Sequence, residues 1–104
     1  MNITRGTTTT QIFKVNVPLD SVTDLFITYA QDGVTILEKT LEDVTLDTVA
    51  FTITLKLSQA DTLLLPYING NTLVQLRLKY ANGDTLASIE IPLKILDILK
   101  EGAI

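Results

Sequence analysis

Hydrophobic and polar side chains alternate along several short stretches of this chain, which is the pattern of β-strands that bury one face. Apolar residues occupy every second position of residues 51–56. A similar run over residues 13–17 should end at Pro18, because proline has no N–H to donate to a neighbouring strand. Threonine, valine and isoleucine are abundant, and β-branched side chains fit a pleated sheet better than a helix. The pattern therefore predicts an all-β protein.

Two glycine-containing turns predict β-hairpins. Gly33 follows Asp32 between two β-rich runs, and Gly83 lies within the turn 81–84. Glycine accepts a positive φ without steric cost, as tight hairpin turns require. Pro92 predicts an edge or a bulge at the far end of the last strand. The side chains predicted to face the core around the second turn are Val74, Leu76, Leu78 and Tyr80 before it, and Ala87, Ile89, Ile91 and Leu93 after it.

The segments between these strands predict short connections. Residues 40–48 are acidic and predict a connection that contains one short strand. Ser58 and Asp61 have the spacing of a capping box, which predicts one or two helical turns that stop before Pro66. Residues 67–71 predict a turn or loop. Helix is thus expected only between two strands in the second half of the chain.

These elements amount to about seven short strands and one short helical turn. They predict an immunoglobulin-like antiparallel β-sandwich that occupies residues 1–104 as a single domain. In such a domain the second half would supply the E strand, the E–F corner and the F–G hairpin. A chain of 104 residues can bury about 65% of its unfolded surface, which suits one core. The alternative fold is a small Greek-key barrel.

The composition argues against catalysis and against metal binding. The chain has no cysteine and no histidine, which removes thiolate chemistry, zinc–thiolate sites and the usual general base. Ser58 has no nearby base and is interpreted as a helix cap. We therefore predict that the protein is not an enzyme and has no catalytic residues, metal site or cofactor. The acidic residues interpreted as solvated or turn residues are Asp20, Asp24, Glu42, Asp43 and Asp47.

The charge and hydropathy of the chain bear on its partners. The formal net charge is −4, which repels a polyanion, so we predict that nucleic acid is not a partner. No apolar run approaches the length of a membrane span, and the N-terminus lacks the apolar core of a signal peptide. We therefore predict no membrane partner, and a protein that stays where it is made or leaves as part of a larger particle.

Two segments are candidates for contact with other proteins. A glycine before a run of threonines suggests a flexible lead into an edge strand, whose free N–H and C=O groups could pair with another chain. The alternative is an ordinary first strand that completes its own sandwich. The tail 96–104 is apolar for an exposed terminus, and it either packs back or docks onto another subunit. The candidate interface residues are Arg5, Gly6, Thr7, Thr8, Thr9, Thr10, Ile98 and Leu99.

The same N-terminal stretch carries a resemblance to a known family. Arg5-Gly6-Thr7-Thr8, followed by an alternating strand, resembles the opening of small structural-type proteins of tailed bacteriophages and prophages of Gram-positive bacteria. The resemblance implies a virion-associated structural protein, assembled in the host bacterial cytoplasm, with other virion proteins or further copies of itself as partners. It supplies no catalytic residue and leaves capsid, neck and tail locations open. The likeness continues through residues 27–31, 37–39, 57–62, 74–77 and 82–88.

A second function remains open, namely a β-sandwich module that binds carbohydrate or another component of the host surface. Such sites usually stack sugars on exposed aromatic rings, and tryptophan is absent from this chain. Phe13, Phe26 and Phe51 are expected in the core, and Tyr29 and Tyr80 lie within predicted strands. The aromatic side chains therefore favour the structural role over the carbohydrate-binding role.

Overall fold

The computed structural model describes residues 1–66 and 72–104, so the turn predicted at 67–71 lies outside the described residues. The described chain folds into two β-sheets with one short α-helix and one 3₁₀ turn, Leu41–Asp43. The elements are β1 (Asn2–Thr4), β2 (Thr9–Lys14), β3 (Val22–Gln31), β4 (Val34–Thr40), β5 (Val44–Asp47), β6 (Thr52–Leu57), α1 (Gln59–Leu63), β7 (Thr72–Tyr80), β8 (Thr85–Ala87) and β9 (Ile91–Leu96).

The strand order is that of an immunoglobulin-like sandwich, as predicted. The larger sheet has the order β1-β9-β7-β3-β4, with β8 also paired to β7, and the smaller sheet has the order β2-β6-β5. The smaller sheet corresponds to strands B, E and D, and the larger sheet to C, C′, F and G. β1 runs parallel to β9, and the other paired strands are antiparallel. The described residues contain nine strands rather than about seven, because β1 was not predicted and the last predicted strand is divided into β8 and β9.

The core lies between the two sheets and confirms the alternation seen in the sequence. Three strands inside their sheets, β3, β6 and β7, supply most of its centre and direct every second residue inward. The outward positions of β7, such as Arg77 and Lys79, are exposed. The buried side chains of these three strands are Leu25, Ile27, Tyr29, Ile53, Leu55, Leu57, Thr72, Val74, Leu76 and Leu78.

The predicted helical turn is present and is capped as its sequence indicates. The Asp61 N–H donates to Ser58 Oγ at 3.1 Å, and the Ser58 N–H donates back to Asp61 Oδ2 at 3.0 Å. This capping box satisfies two N–H groups that a helix otherwise leaves unpaired at its start. Leu65 is buried just before Pro66, so the turn attaches the connection between β6 and β7 to the core.

The first predicted core strand is shorter than the sequence suggested. β2 ends at Lys14, whereas the alternation predicted a strand up to Pro18. The last ladder bond here runs from Val15 N–H to the Phe51 carbonyl at 2.8 Å. Phe51 has a φ of 57°, so the backbone before β6 turns away from β2. The residues that follow Val15 therefore have no partner among the described residues of the smaller sheet. Val15 and Val17 nevertheless pack against the core, half-buried.

The return strand of the last hairpin is broken, and two core predictions for it are wrong. Ala87 and Ile89 are exposed, the Ile89 side chain by 81%. The Ser88 N–H donates to the Leu76 carbonyl at 2.8 Å, but Ser88 Oγ, not its carbonyl, accepts the Leu76 N–H at 3.0 Å. This side-chain bond accompanies a one-residue bulge between β8 and β9. Leu86, opposite Leu78, takes the inward side of β8 but stays 45% exposed, whereas Ile91 and Leu93 of β9 pack against the core as predicted.

The edge predicted at Pro92 is confirmed by the pairing of β9. The Lys94 N–H donates to the Met1 carbonyl at 2.9 Å, so Lys94 faces β1. The backbone nitrogen of Pro92, two residues earlier, points to the same side, but the residues of β9 that pair with β1 begin only at Lys94. A proline without an N–H therefore occupies a position at the free edge, where it leaves no ladder bond unmade.

The prediction that all three phenylalanines lie in the core holds for Phe13 alone. Phe13 is 5% exposed and faces inward from β2. Phe26 is half-buried on the outer face of the larger sheet, between inward-facing neighbours on β3. Phe51 is 41% exposed in the turn between β5 and β6. Alternation fixed which β3 residues share a face, but hydrophobicity alone did not place Phe26 correctly.

Candidate functional site

Arg5, predicted to lie in a flexible lead, is an anchor bonded to three separate segments of the chain. Its guanidinium donates to the Leu65 carbonyl at 3.0 Å and to the Leu63 carbonyl at 3.3 Å. It also donates to Asp97 Oδ1 at 2.7 Å and to both carboxylate oxygens of Glu101. One side chain therefore joins the turn after β1, the end of α1 and the C-terminal tail.

The charges of this anchor support one another. Hydrogen bonds from Arg5 to Glu101 and then to Asp97 raise the pKa of the guanidinium above its usual value. The Ile98 N–H and the Arg5 side chain lower the pKa of Asp97. The carboxylates themselves are largely in solvent, so the geometric role of Arg5 outweighs its electrostatic contribution to stability.

Gly6 and Ile98 pack together beside Arg5. Gly6 is buried and has a φ of +73°, and a Cβ at this position would lie 2.8 Å from Ile98 Cδ1. Ile98 is half-buried by this contact, whereas Leu99 projects fully into solvent. Of the two alternatives for the tail, packing back against its own domain is the one that the structure shows for Ile98.

The threonine run divides between the anchor and an edge strand. Thr7 Oγ donates to the Thr4 carbonyl at 2.6 Å, and buried Thr62 donates through its Oγ to the Thr7 carbonyl at 2.8 Å. Thr8 is exposed in the connection. Thr9 and Thr10 begin β2, which lies at an edge of the smaller sheet. Of the candidate interface residues, the exposed side chains are Thr7, Thr8, Thr10 and Leu99.

The free edge of β2 presents backbone groups to solvent. The bond from Val15 N–H to Phe51 sets the alternation of this antiparallel pair, so Gln11 and Phe13 exchange bonds with β6. The N–H and C=O groups of Thr10, Ile12 and Lys14 consequently point away from β6. No strand pairs with this edge in residues 1–66 and 72–104. β2 is therefore an open edge that can accept a further strand.

A groove of about 830 Å³ lies where this edge faces the broken strand of the other sheet. Leu76 and Leu78 of β7 line the floor of the groove between its two walls and are 3% and 6% exposed. Leu86 and Ile89 on the second wall are 45% and 81% exposed. The remaining lining residues are Lys14, Val15, Asn16, Val17, Ala87, Ser88 and Ile91.

The second wall of the groove is also an open edge. The bonds from Tyr80 N–H to Asp84 and from Ser88 N–H to Leu76 set the alternation of the β7–β8 pair. By that alternation, the N–H and C=O groups of Thr85 and Ala87 point away from β7. β1 occupies the same edge of the sheet farther along, where it pairs with β9. The groove thus has unpaired peptide groups on both walls, within the part of the chain described.

The sequence did not reveal this groove, because its residues were assigned to the core. Val15 and Val17 were predicted to be strand residues, and Ile89 was predicted to face inward. The signal that could have indicated the groove is Ser88. It is a hydroxyl residue within an apolar alternation, and only three residues separate it from Pro92. Side-chain hydroxyls of this kind compete with backbone groups for ladder bonds and so favour a bulge.

Away from the groove, a cluster of titratable side chains joins α1 to the larger sheet. Burial alone would raise the pKa of Asp61, but hydrogen bonds from Ser58 and Lys39 outweigh it and lower the pKa. The Lys39 ammonium lies 3.1 Å from Asp61 Oδ1 and joins β4 to α1. Burial and the negative charge of Asp61 raise the pKa of Tyr29, whose hydroxyl has no hydrogen-bond partner among the described residues. This cluster fastens α1 to the larger sheet.

Three of the acidic residues predicted to be solvated or in turns accept hydrogen bonds from nearby backbone N–H groups. Asp47 accepts the N–H groups of Val49 and Ala50, and Asp43 accepts from Thr40. Asp24 accepts the N–H of the residue that follows it. Across 1–66 and 72–104, no three histidine, cysteine, aspartate or glutamate residues are grouped so that they could hold a metal ion. Within the same ranges, no helix has the length and apolar character needed to cross a membrane.

Comparison with known proteins gives likenesses to solved structures. No protein-family model and no curated protein matches the chain. Among solved structures, the chain is similar to the V domain of amphioxus IgVJ-C2, with 13% sequence identity and a TM-score of 0.36 over 92% of this chain and 99% of that one. The strand order and register stand independently of that likeness. By its own sheet topology, the chain is an immunoglobulin-like β-sandwich.

Proposed function

We propose that this chain is a non-enzymatic structural module of a bacteriophage virion that acts through protein–protein contacts. The observation that carries the proposal is the open flank of the sandwich, where the edges of β2 and β8 border an apolar groove. Open strand edges beside an apolar groove suit a polypeptide better than a small polar substrate, because backbone pairing and apolar burial act together. The phage setting rests on the resemblance of the Arg5-Gly6-Thr7-Thr8 segment and the stretches that follow it.

The chemistry of the titratable residues supports a non-catalytic role. Catalytic groups need shifted pKa values inside a cleft that admits substrate. Here the charged groups with shifted pKa values, Arg5, Asp61 and Asp97, belong to ion pairs that join segments of the chain. The other shifted groups are the hydroxyls of Tyr29 and Tyr80, whose pKa values burial raises, and neither lines the groove. The groove itself is lined by one ionisable side chain, Lys14. A general acid and a general base are therefore not brought together at the groove.

The carbohydrate-binding alternative has less support from the aromatic residues. Sugar-binding faces rely on exposed rings, and Phe51 is the one exposed aromatic side chain in the described ranges. Phe13 and Tyr29 are buried, and Phe26 and Tyr80 are half-buried. A glycan array that returns no ligand for the purified protein would remove this alternative.

Mass spectrometry of purified virions tests the proposed function directly. The expected result is that peptides of this chain are present at many copies per particle, scaling with a known structural protein. A size measurement on the purified chain, alone and mixed with the other virion proteins, complements it. Absence from the particle, together with a free monomer that binds no virion protein, would refute the proposal.

A further inference from the structure

We propose that the groove between β2 and the β8–β9 break binds an extended strand from a different polypeptide. That strand would carry apolar side chains at every second residue and a carboxylate opposite Lys14. The inference deepens the proposed function and rests on it in treating the contact as one between proteins. It names the partner by its chemistry, namely an acidic, alternating β-strand that completes the flank of the sandwich.

Both walls of the groove have unpaired backbone groups that could form hydrogen bonds with such a strand. Thr85 and Ala87 present unpaired N–H and C=O groups from the larger sheet, and Ile12 and Lys14 present theirs from the smaller one. The same edge of the larger sheet already accepts a strand farther along, because β1 pairs with residues 94–96 of β9. A docked strand would continue this edge past the end of β1.

The side chains of the groove set the pattern of the partner. Residues 86–91 span about 20 Å at the usual strand rise, which matches an extended segment of about six residues. Every second residue of that segment faces inward, which gives about three apolar side chains over Leu76 and Leu78. The contact would cover Leu86 and Ile89, whose exposure is otherwise unfavourable for aliphatic side chains.

The charge of the groove selects an acidic partner. Lys14 is the one charged residue that lines it, and no acidic residue does. The ion pairs within the described residues involve Arg5 and Lys39, so Lys14 has no such carboxylate. The chain's own apolar tail does not fit, because Arg5 holds Asp97 and Glu101 at the opposite end of the flank, next to β1. This excludes the tail as the occupant, and the proposed occupant is an acidic strand from another protein.

Synthetic peptides test the inference with the intact chain. The probe is an eight-residue peptide with valine at alternate positions, threonine between them and one central aspartate. Matched probes carry lysine in place of the aspartate, or a central proline that removes a backbone donor. We expect saturable binding of the aspartate peptide by fluorescence anisotropy, with NMR shifts at the Ile12, Lys14, Thr85 and Ala87 amides. The lysine and proline peptides should each bind about tenfold more weakly.

Two variants of similar exposure locate the binding site. Ile89→Asp should weaken binding about tenfold or more, because one aliphatic contact is lost and a carboxylate is added. Val49→Asp changes an equally exposed aliphatic residue, 87% against 81%, in a turn outside the groove, and should leave binding unchanged. Lys14→Glu should reverse the preference between the aspartate and lysine peptides. Circular dichroism melts establish that each variant is folded.

Several results would overturn the inference. These are the absence of saturable binding in the millimolar range, shifts confined to other surfaces, or equal effects of Ile89→Asp and Val49→Asp. Self-association that Ile89→Asp abolishes would identify a second copy as the occupant and contradict the proposal. If the peptide binds but the chain is absent from virions, the proposed function fails alone. If particles incorporate Ile89→Asp at full copy number, the groove proposal fails while the virion role stands.

Discussion

The contact between Gly6 and Ile98 gives the sharpest prediction about stability. Gly6→Ala places a Cβ 2.8 Å from Ile98 Cδ1 at a φ of +73°. The left-handed backbone costs a non-glycine residue about 1–2 kcal/mol. Contacts between carbon atoms are favourable at about 3.5–4.0 Å, so Ile98 Cδ1, the end of its side chain, must shift away from the added Cβ. Ile98 is half-buried, and losing part of its packing costs up to about 1 kcal/mol more.

The matched control separates backbone strain from the lost contact. Gly33 has a φ of +79° and nothing within 4 Å of an added Cβ, so Gly33→Ala carries the strain alone. Urea unfolding should give a loss of about 2–3 kcal/mol for Gly6→Ala and about 1–2 kcal/mol for Gly33→Ala. In the Ile98→Ala background, the excess cost at Gly6 should disappear. Equal costs for the two glycine variants would mean that the tail does not pack against Gly6.

The remaining predictions concern hydrogen bonds and acid stability. Ser58→Ala removes the α1 cap and should cost about 1 kcal/mol of unfolding free energy, whereas Ser58→Thr should retain most of it. Ser88→Ala leaves the Leu76 N–H without its acceptor and should cost about 1–3 kcal/mol; an unchanged urea midpoint would show that the bulge does not depend on this hydroxyl. The lowered pKa of Asp61 contributes stability above the unfolded-state pKa of about 3.9, and that stability is lost as the pH falls through the lower folded-state pKa. Lys39→Met should therefore flatten the loss of stability measured between about pH 5 and pH 2, and an unaltered acid profile would contradict the role of the pair.

The sandwich could be predicted from the sequence because its central strands obey a simple rule. In β6 and β7, inward residues such as Ile53, Leu55 and Leu76 alternate with polar ones, and both faces of the pattern survive in the structure. The capping box at Ser58 and the turn at Gly83 were likewise predicted from local chemistry. The cap and the turn each depend on residues within about four positions of one another, so a short stretch of sequence is enough to predict them.

The flank could not be predicted in the same way, because its causes are non-local. The end of β2 depends on the left-handed Phe51 in another strand. The exposure of Ile89 depends on Ser88 Oγ taking the place of a backbone acceptor for Leu76. Arg5 was assigned to a flexible lead because its partners, Asp97 and Glu101, lie more than ninety positions away in the chain. Hydrophobic alternation predicts which face a residue occupies only while the ladder is unbroken.

Amide hydrogen exchange measured by NMR tests most directly whether the flank is open. On β2, the Ile12 and Lys14 amides should exchange rapidly, while Gln11 and Phe13, which pair with β6, should be protected. On β8, Thr85 and Ala87 should exchange rapidly and Leu86 should be protected. Alternating protection on both walls is the predicted result. Uniform protection along either strand would mean that its edge is covered, and would contradict the account.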